Sequence, residues 1–247
     1  MKLKSIMGVC LLILAGLPLL AQSGEDLCAK GDQLFNEMQE MAQAQEALAF
    51  YQEAVDLVSD KYDVFWRMSR VMYQIGSHTE AKKEKKQIFD QGVYFAQKAV
   101  ELQPEKPEGH YWLAVNYGSQ GETRGVLKSL SLVKPIKAAL QKVIDLDRSF
   151  EDGGADRVMG RVYFKLPGFA GGSKDKSIEH LEKSLEYGPD DPVSLLYYAE
   201  TLLSMKEKDK ARVQLERILA LPDDPCWANT VNETKVTAGE LMEKEFN

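Results

Sequence analysis

Four residues of this sequence have side chains suited to binding an anion: Arg67, Tyr111, Arg157 and Arg161. A guanidinium group presents a planar fork of donors that matches a carboxylate, and a tyrosine adds a hydroxyl donor and an aromatic face. The helical pattern described below places all four on the concave side of a helical array. We therefore predict that they bind an anionic group on an otherwise apolar ligand or peptide. The alternative is that the arginines pair with the abundant acids of the chain.

Catalytic and metal-binding motifs are absent from the sequence. His78, His110 and His180 are far apart, and none belongs to an HExxH or CxxC arrangement. Gly171 and Gly172 are not followed by the GK[ST] that a phosphate-binding loop requires, so a turn is the better interpretation. We expect a non-enzymatic protein with no catalytic residue, no metal and no cofactor.

Apolar residues recur at spacings of three and four, the period of an amphipathic helix. A first helix is predicted from Glu25 to Met41 and a second from Ala47 to Val58. The second contains a small, aromatic, small series, Ala47, Tyr51 and Ala54, which is typical of the second helix of a tetratricopeptide repeat.

The same pairing of helices continues along the chain, and prolines such as Pro104 and Pro222 close the pairs. Alternating strand patterns are absent. The sequence therefore predicts an all-α, tetratricopeptide-like helical-repeat superhelix forming a single domain over residues 22–247. The predicted helix pairs are residues 25–60, 62–104, 107–148, 152–189 and 192–222, followed by a capping helix over residues 229–245.

The second and third pairs are enlarged. The spacing from a first-helix anchor to a second-helix small position is 26 residues from Trp66 to Gly92 and again from His110 to Ile136, against about 16 in a standard repeat. We expect a second helix lengthened at its start, or an extra turn in the corner.

The N-terminus has the pattern of an export signal. Lys2 and Lys4 precede an apolar run from Ile6 to Leu20, and we predict cleavage after Ala21. The run falls short of the roughly 20 residues of a spanning helix, so a retained membrane anchor is the alternative, and no stable membrane span is expected after cleavage. The protein is predicted to be periplasmic or secreted.

Charge and cysteine content restrict the partners. The chain has 31 basic and 38 acidic residues and a net charge of −7, which disfavours nucleic-acid binding. Cys10 would be lost with the signal, and Cys28 and Cys226 are predicted to lie at opposite ends of the array, too far apart for a disulfide.

A corner rich in glycine and proline joins the helices of the fourth pair. Pro167, Gly168, Gly171 and Gly172 forbid a continued helix, and Ser173 or Asp175 can cap the next one. The segment Leu166 to Gly172, between a helix ending in Tyr163 and a helix from Asp175 to Tyr187, resembles the T-component proteins of tripartite ATP-independent periplasmic (TRAP) transporters. It is also similar to the eukaryotic regulators of microtubule dynamics.

The first resemblance implies an exported helical-repeat protein that associates with a periplasmic solute-binding protein and holds an apolar ligand. Members of that group are usually lipid-anchored, but neither Cys10 nor Cys28 follows the small residue that lipid attachment requires. The leading hypothesis is thus a binding protein serving a solute transport system. A scaffold for envelope proteins with no small ligand is the alternative, and a hydrolase comes third because no nucleophile and base occur in a motif.

Overall fold

The computed structural model describes residues 23–124, 129–226 and 230–246. The predicted signal and its cleavage position lie outside these ranges, and so does Asn229, the first residue of the predicted capping helix. Within them the chain forms α-helices and one short 3-10 turn, and no strand. The α-helices are α1 (Gly24–Asn36), α2 (Met41–Ala54), α3 (Tyr62–Ser77), α4 (Lys82–Leu102), α5 (Pro107–Arg124), α6 (Val133–Asp147), α7 (Phe150–Lys165), α8 (Lys174–Tyr187), α9 (Pro192–Ser204), α10 (Lys208–Ala220) and α11 (Val231–Phe246).

Consecutive helices pack in pairs, as the predicted all-α repeat fold requires, and this fold class is confirmed. Small residues allow the close approach. A methyl group added at Gly31 of α1 would lie 2.6 Å from the ring of Tyr51 on α2, and Ala47 and Ala54 beside that ring are fully buried. The small, aromatic, small series therefore forms the contact between the first two helices, because only small side chains leave room for the ring.

The first corner differs from the prediction. Helix α1 ends at Asn36 and α2 begins at Met41, so the predicted first helix to Met41 and second helix to Val58 are displaced by several residues. The reason is a cap: the Gln43 side chain accepts hydrogen bonds from the backbone of Gln39 and Glu40 and starts α2 there. Met38 is buried in the corner between the helices.

The two enlarged pairs are extended in different ways. In the second pair the second helix, α4, is long, with 21 residues, as predicted. In the third pair the first helix, α5, has 18 residues, whereas α6 has 15 and begins only at Val133. The equal spacing of 26 residues thus does not reflect the same insertion.

A buried polar network joins α3, α4 and α5. The Ser69 hydroxyl donates to the carbonyl of Gly92 at 2.9 Å, and the Asn116 amide donates to Ser69 Oγ at 3.0 Å. Gly92 has no space for a side chain, since an added methyl carbon would lie 2.1 Å from Asn116 Oδ1. The network therefore depends on glycine at this position.

The glycine-rich corner between α7 and α8 has the predicted cap. Ser173 Oγ accepts the backbone N–H of Lys176 at 3.2 Å. Gly171 has a φ of 86°, a left-handed conformation that glycine adopts without strain. Phe169, at the centre of the 3-10 turn Gly168–Ala170, is 87% exposed.

The start of α7 is interrupted by left-handed backbone at Glu151, Asp152 and Gly153, with φ values of 51°, 54° and 75°. A methyl group on Gly153 would lie 2.9 Å from the backbone of Ser184 on α8. This break lets the two helices of the fourth pair approach closely.

The C-terminal segment returns to the first two pairs. Cys226 Sγ donates to the carbonyl of Asn36 at 3.0 Å, and Glu233 at the start of α11 lies against His78, which follows the last residue of α3. The expectation that Cys226 lies at the far end of the array from α1 is therefore wrong, because the superhelix curves enough to bring its last segment beside its first corner. Both described cysteines are nevertheless free.

In the described ranges, none of the helices is both long enough and apolar enough to cross a membrane.

Candidate ligand-binding groove

The inner side of pairs two to five encloses a groove of about 780 Å³. First helices α3, α5, α7 and α9 contribute to its walls, together with the start of α4 and the corner after α7. The lining residues are Tyr73, Ser77, Glu80, Lys82, Lys85, Phe89, Val115, Gly118, Ser119, Gly121, Glu122, Thr123, Ser129, Leu130, Val133, Ile136, Val158, Arg161, Val162, Lys165, Leu166, Pro167 and Tyr197.

The interior of the groove is mostly apolar. Tyr73, Val158, Val162 and Tyr197 are only partly buried, so their side chains still offer surface to a ligand. Burial raises the pKa of Tyr197 to about 12, which keeps its hydroxyl neutral at physiological pH. A volume and lining of this kind suit an apolar small molecule or a segment of a peptide.

Basic side chains outnumber acids along this lining. Four of the lining residues are cations, Lys82, Lys85, Arg161 and Lys165, and two are acids, Glu80 and Glu122. Lys82 and Lys165 are exposed, and in the described part of the chain they form no ion pair. In a chain with a net charge of −7 this local excess of positive charge favours an anionic ligand.

Arg161 is the predicted site residue that lines this groove. Its guanidinium forms an ion pair with Glu200 of α9 and lies 4.1 Å from the centre of the Tyr197 ring. The Phe164 ring is 5.3 Å away. Arg161 is thus held by an acid and two aromatic rings, and an incoming anion would have to compete with Glu200.

Tyr111 and Arg157 lie next to one another but do not line the groove. Arg157 donates to the Tyr111 hydroxyl at 2.8 Å and lies 3.2 Å from Asp191. Tyr111 is only 3% exposed. Burial alone would lower the pKa of Arg157, but Tyr111 and Asp191 more than compensate and raise it, so the guanidinium stays charged. The contacts connect the third, fourth and fifth pairs.

Arg67, on α3 of the second pair, lies away from the groove and contacts the first pair. Its Nε donates to both carboxylate oxygens of Asp32 at 2.9 Å, and its guanidinium stacks 4.4 Å from the Trp66 ring. Arg70 and the Tyr51 hydroxyl bond to the same Asp32 carboxylate. The three predicted arginines therefore all pair with acids, which is the alternative that the sequence left open.

Each of the three histidines forms a hydrogen bond within the protein. His110 bonds to the carbonyl of Pro104 at 2.8 Å, and His180 to Asp156 at 2.7 Å. Over the described ranges, His, Cys, Asp and Glu side chains form no group that could hold a metal ion. The roles visible for the histidines are structural.

Sequence reasoning missed the lysines of the groove. Lys82 and Lys85 stand in the charged run at the start of α4 and were not among the predicted site residues. Lys165 precedes the glycine-rich corner. Their positions next to helix corners are visible in the sequence, but only the curvature of the array shows that the corners of pairs two and four face one cavity.

Comparison with known families supports one of the two resemblances, that to the regulators of microtubule dynamics, through residues that precede the corner. Residues 27–164 match the family described as regulator of microtubule dynamics protein 1-3. The chain belongs to this family. The match covers the first three helix pairs and α7 of the fourth. Among curated proteins, none matches the sequence significantly.

Two of the solved structures similar to this member of the regulator of microtubule dynamics family are described as tetratricopeptide-repeat proteins. The protein TTC0263 of Thermus thermophilus superposes with a TM-score of 0.69 at 16% identity, covering 90% of this chain and all of that one. YrrB, described as having an unusual peptide-binding site, gives a TM-score of 0.47 at 16% identity, covering 90% of this chain and 93% of that one. The first similarity shows the fold, and neither transfers a ligand.

Proposed function

We propose that the protein is a non-enzymatic binding protein whose inner groove takes an apolar ligand or peptide segment carrying an anionic group. The observation that carries the proposal is the groove itself: apolar walls from Tyr73, Val162 and Tyr197, with four cations against two acids. Burial of apolar surface would supply most of the affinity, and the cations would select and orient the anionic group.

The biological setting we propose is export to the bacterial envelope as an accessory of a TRAP-type solute transport system, with a periplasmic solute-binding protein as partner. The support is the signal pattern before Gln22 and the corner Leu166 to Gly172. The family name refers to microtubule dynamics, but an exported chain would not meet microtubules, so the proposal does not extend to them.

The second candidate is an envelope scaffold that recognises protein partners through the groove and holds no small ligand. The observation that favours it is the pairing of all three predicted arginines with acids, since a paired guanidinium is less available to a ligand. The two candidates differ in whether a small apolar anion binds.

A fluorescence titration separates them. The probe is 8-anilinonaphthalene-1-sulfonate, an apolar anion, added to the chain from residue 22. Val162→Trp should weaken binding severalfold by narrowing the groove, and Lys82→Glu should weaken binding severalfold because it places an acid at the groove. The matched controls are Val213→Trp, an exposed valine on α10, and Lys61→Glu, before α3.

Probe binding that is weakened only in the groove variants would support the proposal. Equal binding by all variants would show that the probe binds elsewhere, and no binding by the wild type would favour the scaffold. Unchanged melting temperatures would confirm that the variants are folded.

A further inference from the structure

The most exposed large apolar side chain in the described part of the chain is Phe169, at 87%. It lies in the middle of the 3-10 turn between Gly168 and Ala170, in the corner after α7. Methyl groups added at Gly168 or Gly171 would meet no atom within 4 Å, so the turn projects into open space. An aromatic ring held outward on a short turn has no role in the core.

Lysines surround this turn. Lys165 precedes it, Lys174 and Lys176 follow it, and the neighbouring corner between α9 and α10 adds Lys206 and Lys210; all are exposed. Lys174 Nζ donates to the carbonyl of Ser204 at 2.7 Å, which holds the two corners side by side. We call Phe169 and these five lysines the corner patch.

The charge of the corner patch opposes that of the rest of the chain. Residues 165–176 and 204–210 contain six lysines and three acids, whereas the whole chain has a net charge of −7. Two connections at the opposite ends of the helices are acidic: residues 55–61 and 186–191 contain five acids and one lysine. The corners after α7 and α9 therefore form a basic region, and Phe169 projects from it.

We propose that the corner patch docks the protein on an anionic lipid bilayer, with Phe169 inserted at the headgroup level and the lysines above the anionic headgroups. A basic cluster beside an exposed aromatic ring suits such a surface. The negative surface potential attracts the lysines, and insertion removes the apolar ring from water. A protein partner fits less well, since protein interfaces are depleted of lysine and place their aromatic anchors in pockets.

Vesicle flotation tests this proposal. The chain from residue 22 is used, because residues 1–21 would themselves bind bilayers, and the described helices all follow them. The wild type should float with vesicles containing about 30 mol% phosphatidylglycerol, should not float with pure phosphatidylcholine, and should bind more weakly at high salt.

Two variants address the two components of the patch. Phe169→Ala should weaken binding about tenfold, through lost apolar burial. Lys176→Glu with Lys206→Glu should weaken binding at least about tenfold, since each lysine near an anionic surface contributes roughly fivefold. The matched controls are Leu57→Ala, 57% exposed before α3, and the double variant Lys61→Glu with Lys142→Glu, which makes the same change in net charge.

Loss of flotation in the patch variants but not in the controls would support the proposal. Equal loss in both double variants would show a response to net charge alone and overturn it. No flotation by the folded wild type, or patch-dependent binding to poly-glutamate without binding to vesicles, would also overturn it. The groove variants Val162→Trp and Lys82→Glu should float like the wild type, which separates this result from that of ligand binding.

Discussion

Nε2 of His78 lies 2.9 Å from Oε1 of Glu233, so the end of α3 contacts the start of α11 across 155 residues of sequence. Nearby along the chain, Cys226 contacts the carbonyl of Asn36. The final helix thus does more than cap the fifth pair, because its approach reaches back to the first two pairs. The C-terminal segment therefore contacts the start of the array, although among the described residues none of α11 lines the inner groove.

The contact between the C-terminal segment and the first corner places Cys226 beside α1, the helix that contains Cys28. Cys226 contacts the last residue of α1, whereas Cys28 lies near the start of that helix, and both thiols are free. We expect two free thiols per chain when the protein lacking residues 1–21 is titrated with a thiol reagent under denaturing, non-reducing conditions. Cys28→Ser should give one thiol. A monomer with no reactive thiol would contradict the arrangement.

Two glycines test the packing of the repeats. Gly92→Ala should lower the free energy of unfolding by about 2 kcal/mol, since the methyl group would overlap Asn116 Oδ1 and disturb the Ser69 network. Gly239→Ala on α11 has free space and should raise it by about 0.5–1 kcal/mol through helix propensity. Urea unfolding measures both changes. A neutral or stabilising Gly92→Ala would show that the network is not constrained as described.

The surroundings of Asp156 predict how the stability of the fold depends on pH. Burial alone would raise the pKa of this carboxyl, but hydrogen bonds from His180 and Arg148 outweigh it and lower the pKa below its ordinary value. A lowered folded-state pKa gives stability that is present above the unfolded value, about 3.9, and is lost as the pH falls through the folded value. The wild type should therefore lose stability below about pH 4.

Asp156→Asn should lower the free energy of unfolding by about 1–2 kcal/mol at about pH 6, because it removes the buried carboxylate that accepts hydrogen bonds from the partly exposed Arg148 and His180. It should then lose less than the wild type between about pH 6 and pH 3, as urea unfolding at the two values would show. Asp209→Asn, an exposed acid on α10, is the control and should follow the wild type. An Asp156→Asn variant as acid-sensitive as the wild type would refute this role.

The start of the mature protein stays a prediction from the sequence. The apolar run from Ile6 to Leu20 and the small residue Ala21 predict cleavage before Gln22. N-terminal sequencing of the protein from a bacterial periplasmic extract should begin at or near Gln22. Retention of Met1, or a lipid on Cys10 or Cys28, would show that the segment is an anchor.

Helical periodicity was enough to predict the fold but not the site. Tyr51 with Ala47 and Ala54 indicated a tetratricopeptide-like contact, and the structure contains it. The first corner was misplaced, because Met38 and Met41 continue the apolar period through the turn while the Gln43 cap has no apolar signal. Local patterns of this kind determine which helices form.

The candidate site depends on contacts between residues far apart in sequence. Arginines on one face looked like ligand-binding groups, but Asp32 is 35 residues from Arg67, and Glu200 is 39 residues from Arg161. A periodic pattern does not show such pairs, since they are set by the curvature of the array. For the same reason it did not show that the corners beside Lys82 and Lys165 face one groove.

The measurement that tests the groove most directly is a double-mutant cycle on Arg161 and Glu200, read as the dissociation constant of the anilinonaphthalene sulfonate probe. If Arg161 contacts the anion, Arg161→Gln should weaken binding at least about tenfold, the value of one charge-assisted contact. Glu200→Gln should strengthen binding, because the guanidinium no longer has to leave its partner. The double variant should stay as weak as Arg161→Gln. A double variant that binds like the wild type would show that Arg161 only neutralises Glu200, and would contradict its role in binding the anion.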